Sequence, residues 1–525
     1  AVTFTPEKDF VGTATGIIAN HFVALFATNF TKKNRKLLIR NLESLTVDQV
    51  NDFGVASLVT RMGNDNNNAQ RLIVAFFQMI LPSPIMAVIS IFMTIKLSPT
   101  LALIPLFSIL VFALAIVLTL FKSLPYILKV QKKLDRMTLV LRERFIGAKI
   151  IRAFDNSKKE RDKFNDVAQE YTDNYIIINK KFALLSPMAF ALMSIVITLI
   201  IFFGAMKVLN NTLEIGSITA IVEYSLTTIA ALIMSSMVLV QMPKAVVSIE
   251  RIEEVLNVTS EIKDKEELKD NSYYEDILKQ NPISLTFDNV CFRYKGAEKQ
   301  ILKNISFSVK AGERFAIVGA TGSGKSTIAK VLLRLNDIES GRILINGVDA
   351  LDLPLNCLRN QISYTPQKAY IFSGKIKDNF RFTNKNMTDE EMIKIAKIAQ
   401  SYDFIDSLPD KFDSFVAQGG INFSGGQKQR LSIARALSKD ANIYLFDDSF
   451  SALDYATDAK LRKELKTFLK DKITIIIAQR LNTIADADKI IVLKDSEITG
   501  MGTHQELLES NQEYIELAKS QGILE

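Results

Sequence analysis

The stretch Phe315–Thr327 has the sequence FAIVGATGSGKST and determines what the second half of this chain can be. Phe315–Val318 is a short apolar run typical of a buried β-strand, and the residues after Thr327 have helical periodicity. Between them, glycines allow several backbone N–H groups to turn toward one anion, and the N-terminus of the following helix adds a favourable dipole. The pattern predicts a phosphate-binding loop between a strand and a helix.

This loop is predicted to bind ATP together with Mg²⁺. Lys325 is expected to reach the β- and γ-phosphates, and the Ser326 hydroxyl is expected to bind the metal. The other predicted contacts of the loop are Gly319, Thr321, Gly322, Ser323, Gly324 and Thr327. A second apolar strand, Ile443–Asp447, ends in a carboxylate that suits the Mg²⁺ side of the same site. An apolar run that ends in Asp is weak evidence alone, but it is strong evidence downstream of a phosphate loop.

A third motif, Asn422–Arg430 (NFSGGQKQR), resembles the LSGGQ signature of the ATP-binding cassette (ABC) family. The resemblance covers essentially the whole chain. It implies an α/β P-loop nucleotide-binding domain that pairs head to tail with a second one, with two ATP molecules between them. Ser424, Gly425 and Gly426, with Gln427 beside them, would then contact the γ-phosphate held by the partner's loop. A hydroxyl and glycine amides before a helix suit such an anion.

The same resemblance gives roles to two further residues. Tyr294 resembles the aromatic residue that stacks on adenine, although a core tyrosine on a strand face remains the alternative. Gln367 resembles the Q-loop glutamine, which senses both Mg²⁺ and the membrane domain, so it is a candidate for the metal and for the catalytic group.

Two positions depart from the family pattern. Asp448 stands where a water-activating glutamate is expected, and Gln479 stands where a histidine is expected. The carboxylate of Asp448 would be withdrawn by about 1.5 Å, one C–C bond, and a misplacement of about 1 Å can cost roughly a hundredfold in rate. Gln479 can donate a hydrogen bond, but it cannot become cationic or transfer a proton near neutral pH. Slow hydrolysis at this chain's own site is therefore predicted.

Either departure alone could be drift, but the pair resembles the degenerate-site subunit of heterodimeric bacterial multidrug ABC exporters. In such pairs each composite site takes its loop, aspartate and switch residue from one chain and its signature from the other. The intact signature of this chain would complete the competent site of a second, non-identical half-transporter that carries the catalytic glutamate. The chain's own pocket would hold ATP and hydrolyse it slowly.

Composition places this ATPase beside a membrane. The chain has 525 residues, of which 48% are hydrophobic, and its mean hydropathy is +0.15. The formal net charge of +7 is modest and favours membrane topology over nucleic-acid binding. Cys291 and Cys357 offer no disulfide framework and no metal spacing.

Five long runs predict membrane-spanning helices, because a helix needs about 20 apolar residues to cross a bilayer. They are residues 10–31, 72–95, 97–121, 182–206 and 215–243, and Glu223 is the one charged residue in them. A single run could be a buried core helix, but five in succession disfavour that. Lys and Arg crowd the connections 32–71 and 122–181, which places these in the cytoplasm. Five crossings would put Ala1 outside, so we expect a sixth span upstream.

The predicted fold is an α-helical transmembrane domain of the exporter type, with five of six spans, followed by the nucleotide-binding domain. We place the transmembrane domain at residues 1–250, a solvated linker at 251–282 and the nucleotide-binding domain at 283–525. Segments 53–65 and 124–131 resemble the two coupling segments of such exporters. The expected location is the plasma membrane, with the nucleotide-binding domain in the cytoplasm.

The predicted activity is ATP-driven export of amphiphilic compounds or drugs by one half of a heterodimer. Export of lipid or peptide, or a nucleotide-gated channel or regulatory subunit, remain alternatives. Because charges inside a span usually face a cavity or a partner, we hypothesise that Glu223 contributes to a site for cationic amphiphiles. A place near the outer surface, or a bond between helices, is the alternative for this residue.

Overall fold

A computed structural model describes residues 6–239, 242–265, 271–278 and 283–524. The chain divides into two compact units. One contains Ala1–Ser44 and Val50–Thr259, and the other contains Leu45–Gln49 and Ser260–Glu525.

In the described part of the first unit, all regular secondary structure is helical. Its α-helices are Pro6–Ser44, Val55–Thr60, Asn66–Ala75, Pro82–Leu97, Pro99–Ile146, Ala148–Ala153, Ser157–Ala183, Leu185–Leu209, Ile215–Leu239 and Met242–Asn257. A further helix, Val47–Phe53, begins in the segment that clusters with the second unit. Two π-helical turns, Arg61–Asp65 and Phe76–Ile80, interrupt the α-helical hydrogen bonding between Val55 and Leu97.

Among the described residues, four helical stretches have the length and apolar composition needed to cross a membrane. They are Val55–Leu97, Pro99–Ile146, Ser157–Leu209 and Ile215–Ser236. These stretches overlap the last four predicted runs, although residues 240–241 of the final run lie outside the described residues. The run 10–31 lies in the helix Pro6–Ser44, which is not among the four, because polar residues dilute its apolar character. The expected count of five spans is therefore not confirmed.

The structure places no separate helix at 124–131. That segment lies within the continuous helix Pro99–Ile146, which tolerates Pro125, and the first break comes at Gly147. Residues 53–65 contain a break at Gly54, whose φ of 74° favours glycine, and then the start of the helical stretch that begins at Val55. The segment that clusters with the second unit, Leu45–Gln49, lies just before it.

The linker expected at 251–282 begins later than predicted. The helix Met242–Asn257 continues through the first part of that range, and Ile252 and Val255 are buried against Leu38 and Leu58. These two apolar residues are separated by one helical turn, so they form a packed face despite the charged residues around them.

The second unit contains twelve described strands. They are β1 Ser284–Phe292, β2 Leu302–Lys310, β3 Arg314–Gly319, β4 Ser340–Ile345, β5 Val348–Asp349, β6 Ile362–Thr365, β7 Gly374–Lys375, β8 Phe415–Val416, β9 Ile443–Asp447, β10 Ile473–Ile477, β11 Lys489–Lys494 and β12 Glu497–Gly502. Six of them form a sheet in the order β12-β11-β3-β10-β9-β6, parallel except for β12. An antiparallel sheet has the order β2-β1-β4-β5, and β7 pairs with β8.

Helices cover this sheet and form a second, helical layer. The α-helices are Asn271–Leu278, Lys325–Leu332, Leu355–Asn360, Ile376–Phe380, Asp389–Ile398, Tyr402–Asp406, Gly425–Leu437, Tyr455–Phe468, Leu481–Ile484, His504–Ser510 and Gln512–Ser520, with 3₁₀ turns at Ala350–Asp352, Lys411–Asp413 and Gln418–Gly420. Between the two larger sheets, the ring of Phe307 stacks on Phe287 at 4.5 Å and on Phe315 at 4.7 Å between centroids. This buried aromatic stack anchors β3, the strand that leads into the phosphate loop.

Candidate nucleotide site

The carboxyl ends of the parallel strands bring the distant motifs together at one edge of the sheet. β3 ends at Gly319 and β9 ends at Asp447. Gln479 lies two residues beyond the end of β10, and Gln367 two residues beyond the end of β6. Because parallel strands share the direction of their ends, all four chain segments reach the crevice where ligands bind in such sheets.

The phosphate loop needs glycine at two positions. Gly324 has φ 103°, and a Cβ there would lie 2.7 Å from the carbonyl oxygen of Ile301. A Cβ on Gly319 would lie 2.2 Å from the carbonyl oxygen of Leu493. Neither contact leaves room for a side chain, so these glycines allow the backbone to turn closely before the helix Lys325–Leu332.

Lys325 is held inside the loop. Its Nζ donates hydrogen bonds to the carbonyl oxygens of Gly319 at 2.8 Å and Ala320 at 2.7 Å. Burial lowers the pKa of this ammonium, while Asp448 and Asp447 act in the opposite direction. Nearby, Ser323 Oγ is buried and has no hydrogen-bond partner among the described residues. An unpaired buried hydroxyl beside a lysine suits an anionic ligand.

Asp447 is a buried carboxylate whose two oxygens both accept hydrogen bonds. Ser326 Oγ donates to Oδ1 at 3.0 Å, and the Tyr364 hydroxyl donates to Oδ2 at 3.3 Å. Burial raises the pKa of Asp447, and both hydrogen bonds partly offset that effect. Sequence reasoning missed Tyr364, because a tyrosine three residues before the Q-loop glutamine carries no signal of this contact.

The residues present fit a Mg²⁺ ion bound with a nucleotide. Ser326 and Asp447 place a hydroxyl and a carboxylate side by side, and oxygen donors are the ligands that Mg²⁺ prefers. The described residues contain no cluster of three or more His, Cys, Asp or Glu side chains of the kind that holds a metal alone. Mg²⁺ in nucleotide sites is bound by one or two carboxylates with substrate phosphates, so this sparse ligand set agrees with that use.

Most of the predicted nucleotide-site residues line one cavity of about 280 Å³. Its lining includes Thr321, Gly322, Gly324, Lys325, Ser326, Thr327, Gln367, Asp447, Asp448 and Gln479. Within it, Gln367 Nε2 donates a hydrogen bond to Asp448 Oδ2 at 3.1 Å. Both departures from the family pattern, Asp448 and Gln479, therefore face the same space as the phosphate loop.

Gln521, at the end of the helix Gln512–Ser520, fixes the backbone around Gln479. Its Nε2 donates to the carbonyl oxygen of Gln479 at 2.8 Å, and its Oε1 accepts from the N–H of Leu481 at 2.9 Å. One side-chain amide thus holds the switch segment on both sides of Arg480. Sequence reasoning missed this residue, since a lone glutamine near the end of a chain forms no motif.

Tyr294 does not line the cavity, but it lies against the phosphate-loop helix. Its hydroxyl accepts a hydrogen bond from Lys330 Nζ at 3.0 Å and lies 3.4 Å from Thr327 Oγ1. The Lys330 ammonium is 5.1 Å from the ring centroid, and Phe292 packs edge-on against the ring at 4.9 Å. The ring is half-buried, and the adenine contact stays a prediction.

The signature motif lies apart from this cavity and is exposed. Ser424 is the N-cap of the helix Gly425–Leu437, with Gln427 N donating to Ser424 Oγ at 3.3 Å and Ser424 N donating to Gln427 Oε1 at 2.9 Å. This capping box pre-organises the helix start. A Cβ on Gly425 would meet nothing within 4 Å, so an open surface is available here.

Fold and site together define a membrane-embedded P-loop ATPase, and comparison with known proteins identifies the family. The ABC transporter family matches residues 302–451, and the ABC transporter transmembrane region matches residues 10–232. The uncharacterized ABC transporter ATP-binding protein YfiB of Bacillus subtilis is 33% identical over 97% of this chain and 87% of its own length.

Two further comparisons indicate which type of ABC transporter the chain resembles. The ATP-dependent lipid A-core flippase of Desulfotalea psychrophila is 33% identical over 74% of this chain and 66% of its own length. The solved structure of a bacterial Atm1-family ABC exporter with ATP bound matches 98% of this chain and 88% of that chain, with a TM-score of 0.81 and 25% identity. The chain belongs to the ABC transporter family and has the fold of an Atm1-type exporter half-transporter, an ATPase translocase.

Proposed function

We propose that this chain is the slow-site half of a heterodimeric ATP-driven exporter in the plasma membrane. The observation that supports it most is the pair of side chains facing the phosphate cavity, Asp448 and Gln479. A general base must reach the water that it polarises, so a carboxylate one methylene too short is a poor base whatever its pKa. An uncharged amide at the switch position removes the second group able to take up a proton.

The remaining residues favour tight binding of ATP without prompt cleavage. Lys325 can exchange its two carbonyl contacts for phosphate oxygens, and Ser326 with Asp447 would hold Mg²⁺. When bound, Mg²⁺ supplies positive charge that neutralises the phosphates. Ser323 Oγ, buried and unpaired among the described residues, can donate to the same anion. This chain would therefore keep triphosphate in place as a clamp between the two halves.

The exposed signature would serve the other site. Ser424 and the amides of Gly425 and Gly426 lie at a capped helix start, where an anion is stabilised by the helix dipole. A non-identical half-transporter with a catalytic glutamate would present its own γ-phosphate there. In this arrangement the partner's site hydrolyses ATP, and this chain completes it.

The exported compound is proposed to be an amphiphile. A relative named a lipid A-core flippase favours lipid-like cargo as a second candidate beside drugs. Peptide export, and a nucleotide-gated channel or regulatory role, are the alternatives, and no contact among the described residues favours them.

The test compares ATP turnover by the chain alone with turnover by the chain co-purified with candidate half-transporters that carry the glutamate. We expect the lone chain to bind ATP and to turn it over at a small fraction of the paired rate, because only the pair contains a competent site. Steady-state ATP hydrolysis in lipid nanodiscs gives the rate of the lone chain and the rate of the pair. A lone chain that forms a homodimer and hydrolyses ATP at the rate of the pair would contradict the proposal.

A further inference from the structure

The first unit contains a cavity of about 1240 Å³ that the nucleotide chemistry does not use. It is lined by residues from 67–79, 175–186 and 233–245, together with Phe112. Ligand pockets commonly measure about 300–1,000 Å³, so this space can take a bulky compound.

Two cations line this cavity, and no described lining residue is a carboxylate. Arg71 and Lys244 both line it, and both side chains are exposed. Neither forms a salt bridge within the part of the chain that the structure describes, and the lining contains no Asp or Glu. Amides of Gln70 and Asn179 add hydrogen-bond donors to the same lining. A cavity lined by charge of one sign raises the local concentration of ligands of the opposite sign.

The wall of the cavity carries both charged and apolar side chains. Arg71 and Met79 belong to one helical stretch and are separated by eight residues, or about 12 Å at 1.5 Å per residue. Apolar side chains, among them Phe112, Leu185 and Ile233, line the same cavity. The cavity therefore combines two cationic side chains with an apolar lining.

The carboxylates near this unit's cavity do not cancel that charge. Asp65 is buried, accepts a hydrogen bond from Ser248 at 2.8 Å and is not part of the cavity lining. Glu223, which we expected to attract cationic amphiphiles, is exposed and does not line the cavity. The charge of the wall favours an anion over a cation.

We propose that this cavity binds an amphiphile with an anionic head, which Arg71 and Lys244 hold, and an apolar body, which lies against Met79, Phe112 and Ile233. Carboxylate, sulfonate and phosphate heads share the needed chemistry, since each accepts charge-assisted hydrogen bonds from guanidinium and ammonium groups. The proposal deepens the export function and rests on it. It does not depend on how fast either ATP site turns over.

The test measures binding of two matched fluorescent probes to the full chain in nanodiscs of zwitterionic lipid, without nucleotide. The probes are dansylated undecanoate and dansylated undecylamine, which differ in the sign of the head group. We expect the carboxylate probe to bind at least about tenfold more tightly, because each charge-assisted hydrogen bond contributes appreciably. Empty nanodiscs correct for partition into lipid.

Four variants locate the site. Arg71→Gln and Lys244→Gln should each weaken binding of the carboxylate probe by about tenfold, whereas Arg71→Lys should retain most of it. Arg40→Gln removes the same charge from an exposed position outside the cavity lining and should have no effect. Thermal unfolding of each variant separates loss of binding from loss of fold.

Three results would overturn the proposal. The amine probe could bind as tightly as the carboxylate probe, or both glutamine variants could leave carboxylate binding unchanged while remaining folded. Displacement of the probe by inorganic phosphate alone would show a simple anion site in place of an amphiphile site. Dodecyl phosphate, in contrast, should displace the probe. A normal ratio of probe affinities with fast ATP turnover by the lone chain would contradict the slow-site function and leave this inference standing.

Discussion

The side-chain amide of Gln367 donates a hydrogen bond to the carboxylate of Asp448 over 3.1 Å. The backbone of Asp448 is itself held, because its N–H donates to the carbonyl oxygen of Ile477 at 2.8 Å and its φ is 46°. A fixed backbone cannot advance to make up for a missing methylene. The short carboxylate is thus engaged with the Q-loop glutamine, and its short reach is the physical reason for the slow hydrolysis that we propose.

Restoring the longer carboxylate and the titratable ring should raise hydrolysis at this chain's site. We expect Asp448→Glu with Gln479→His to increase single-turnover cleavage by roughly ten- to a hundredfold, because a general base contributes about 10²–10⁴-fold when it reaches its water. The measurement uses a pair in which the partner's site is inactivated. Asp440→Glu, at a carboxylate that is not part of the cavity lining, is the matched control. If the double variant cleaves ATP no faster than the wild type, these two side chains are not the cause of slow hydrolysis.

Removing the loop lysine should abolish tight nucleotide binding. Lys325→Ala takes away an ammonium that now bonds two carbonyl oxygens and is expected to bond phosphates, so ATP affinity should fall by roughly ten- to a hundredfold. Equilibrium binding of a fluorescent ATP analogue measures the change. Lys466→Ala, at an exposed lysine, should retain wild-type affinity. Unaltered binding by Lys325→Ala would remove this residue from the site.

The ionised carboxylate of Asp447 should lower the free energy of unfolding when no metal is bound. Burial raises its pKa above the unfolded value, so its ionised form is disfavoured in the folded chain. The penalty is absent below the unfolded pKa and becomes complete as pH rises through the raised folded pKa. At neutral pH without Mg²⁺, Asp447→Asn should therefore raise the unfolding temperature, by about 2–4 °C for each kcal/mol of relieved desolvation.

The same variant should lose the stabilisation that Mg²⁺ and ATP give, since a ligand stabilises only the state that binds it. Asp440→Asn, with its side chain 98% exposed, is the control and should change neither quantity. A lower unfolding temperature for Asp447→Asn without metal would show that the hydrogen bonds from Ser326 and Tyr364 outweigh the desolvation of the carboxylate.

Gln521 should affect the preference of the site for ATP over ADP, because it holds the backbone of the switch segment around Gln479. Gln521→Ala removes the amide that bonds Gln479 O and Leu481 N, so contacts to the γ-phosphate should weaken while contacts to ADP do not. We expect the ratio of ATP to ADP affinity to fall by about three- to tenfold, as for loss of one or two hydrogen bonds. Competition binding with both nucleotides gives this ratio.

Gln512→Ala is the matched control, because that glutamine bonds Glu516 within its own helix. Equal losses of ATP and ADP affinity in Gln521→Ala would assign Gln521 a purely structural role. Gln479→Ala should reproduce the change in ratio if the switch residue contacts the γ-phosphate.

Motifs with their own local chemistry could be predicted from sequence. The strand–glycine–lysine pattern around Gly324 and Lys325 requires one backbone path, so its residues were predicted one by one. The end of β9 at Asp447 was predicted too, since an apolar strand followed by a carboxylate is a local signal. The ABC class was inferred from the resemblance of Asn422–Arg430 to the family signature, and the exporter type from the resemblance of the membrane half.

Contacts between distant segments could not be predicted in the same way. Tyr364 and Gln521 act on residues 83 and 42 positions away, and nothing in their neighbourhood in sequence marks them. The continuous helix through 124–131 was missed, because Pro125 is compatible with a long helix once tertiary packing supports it. Arg71 ends a basic connection that sequence reasoning assigned to the cytoplasm, and nothing in the sequence indicated that it shares a cavity with Lys244.

The most direct test determines which nucleotide remains on each chain after one turnover. The pair is loaded with radiolabelled ATP and Mg²⁺, quenched after a single turnover, and each bound nucleotide is assigned to its chain by photo-crosslinking through the base. The account predicts intact ATP at the pocket of this chain and ADP at the pocket of the partner. Equal conversion to ADP in both pockets would contradict it.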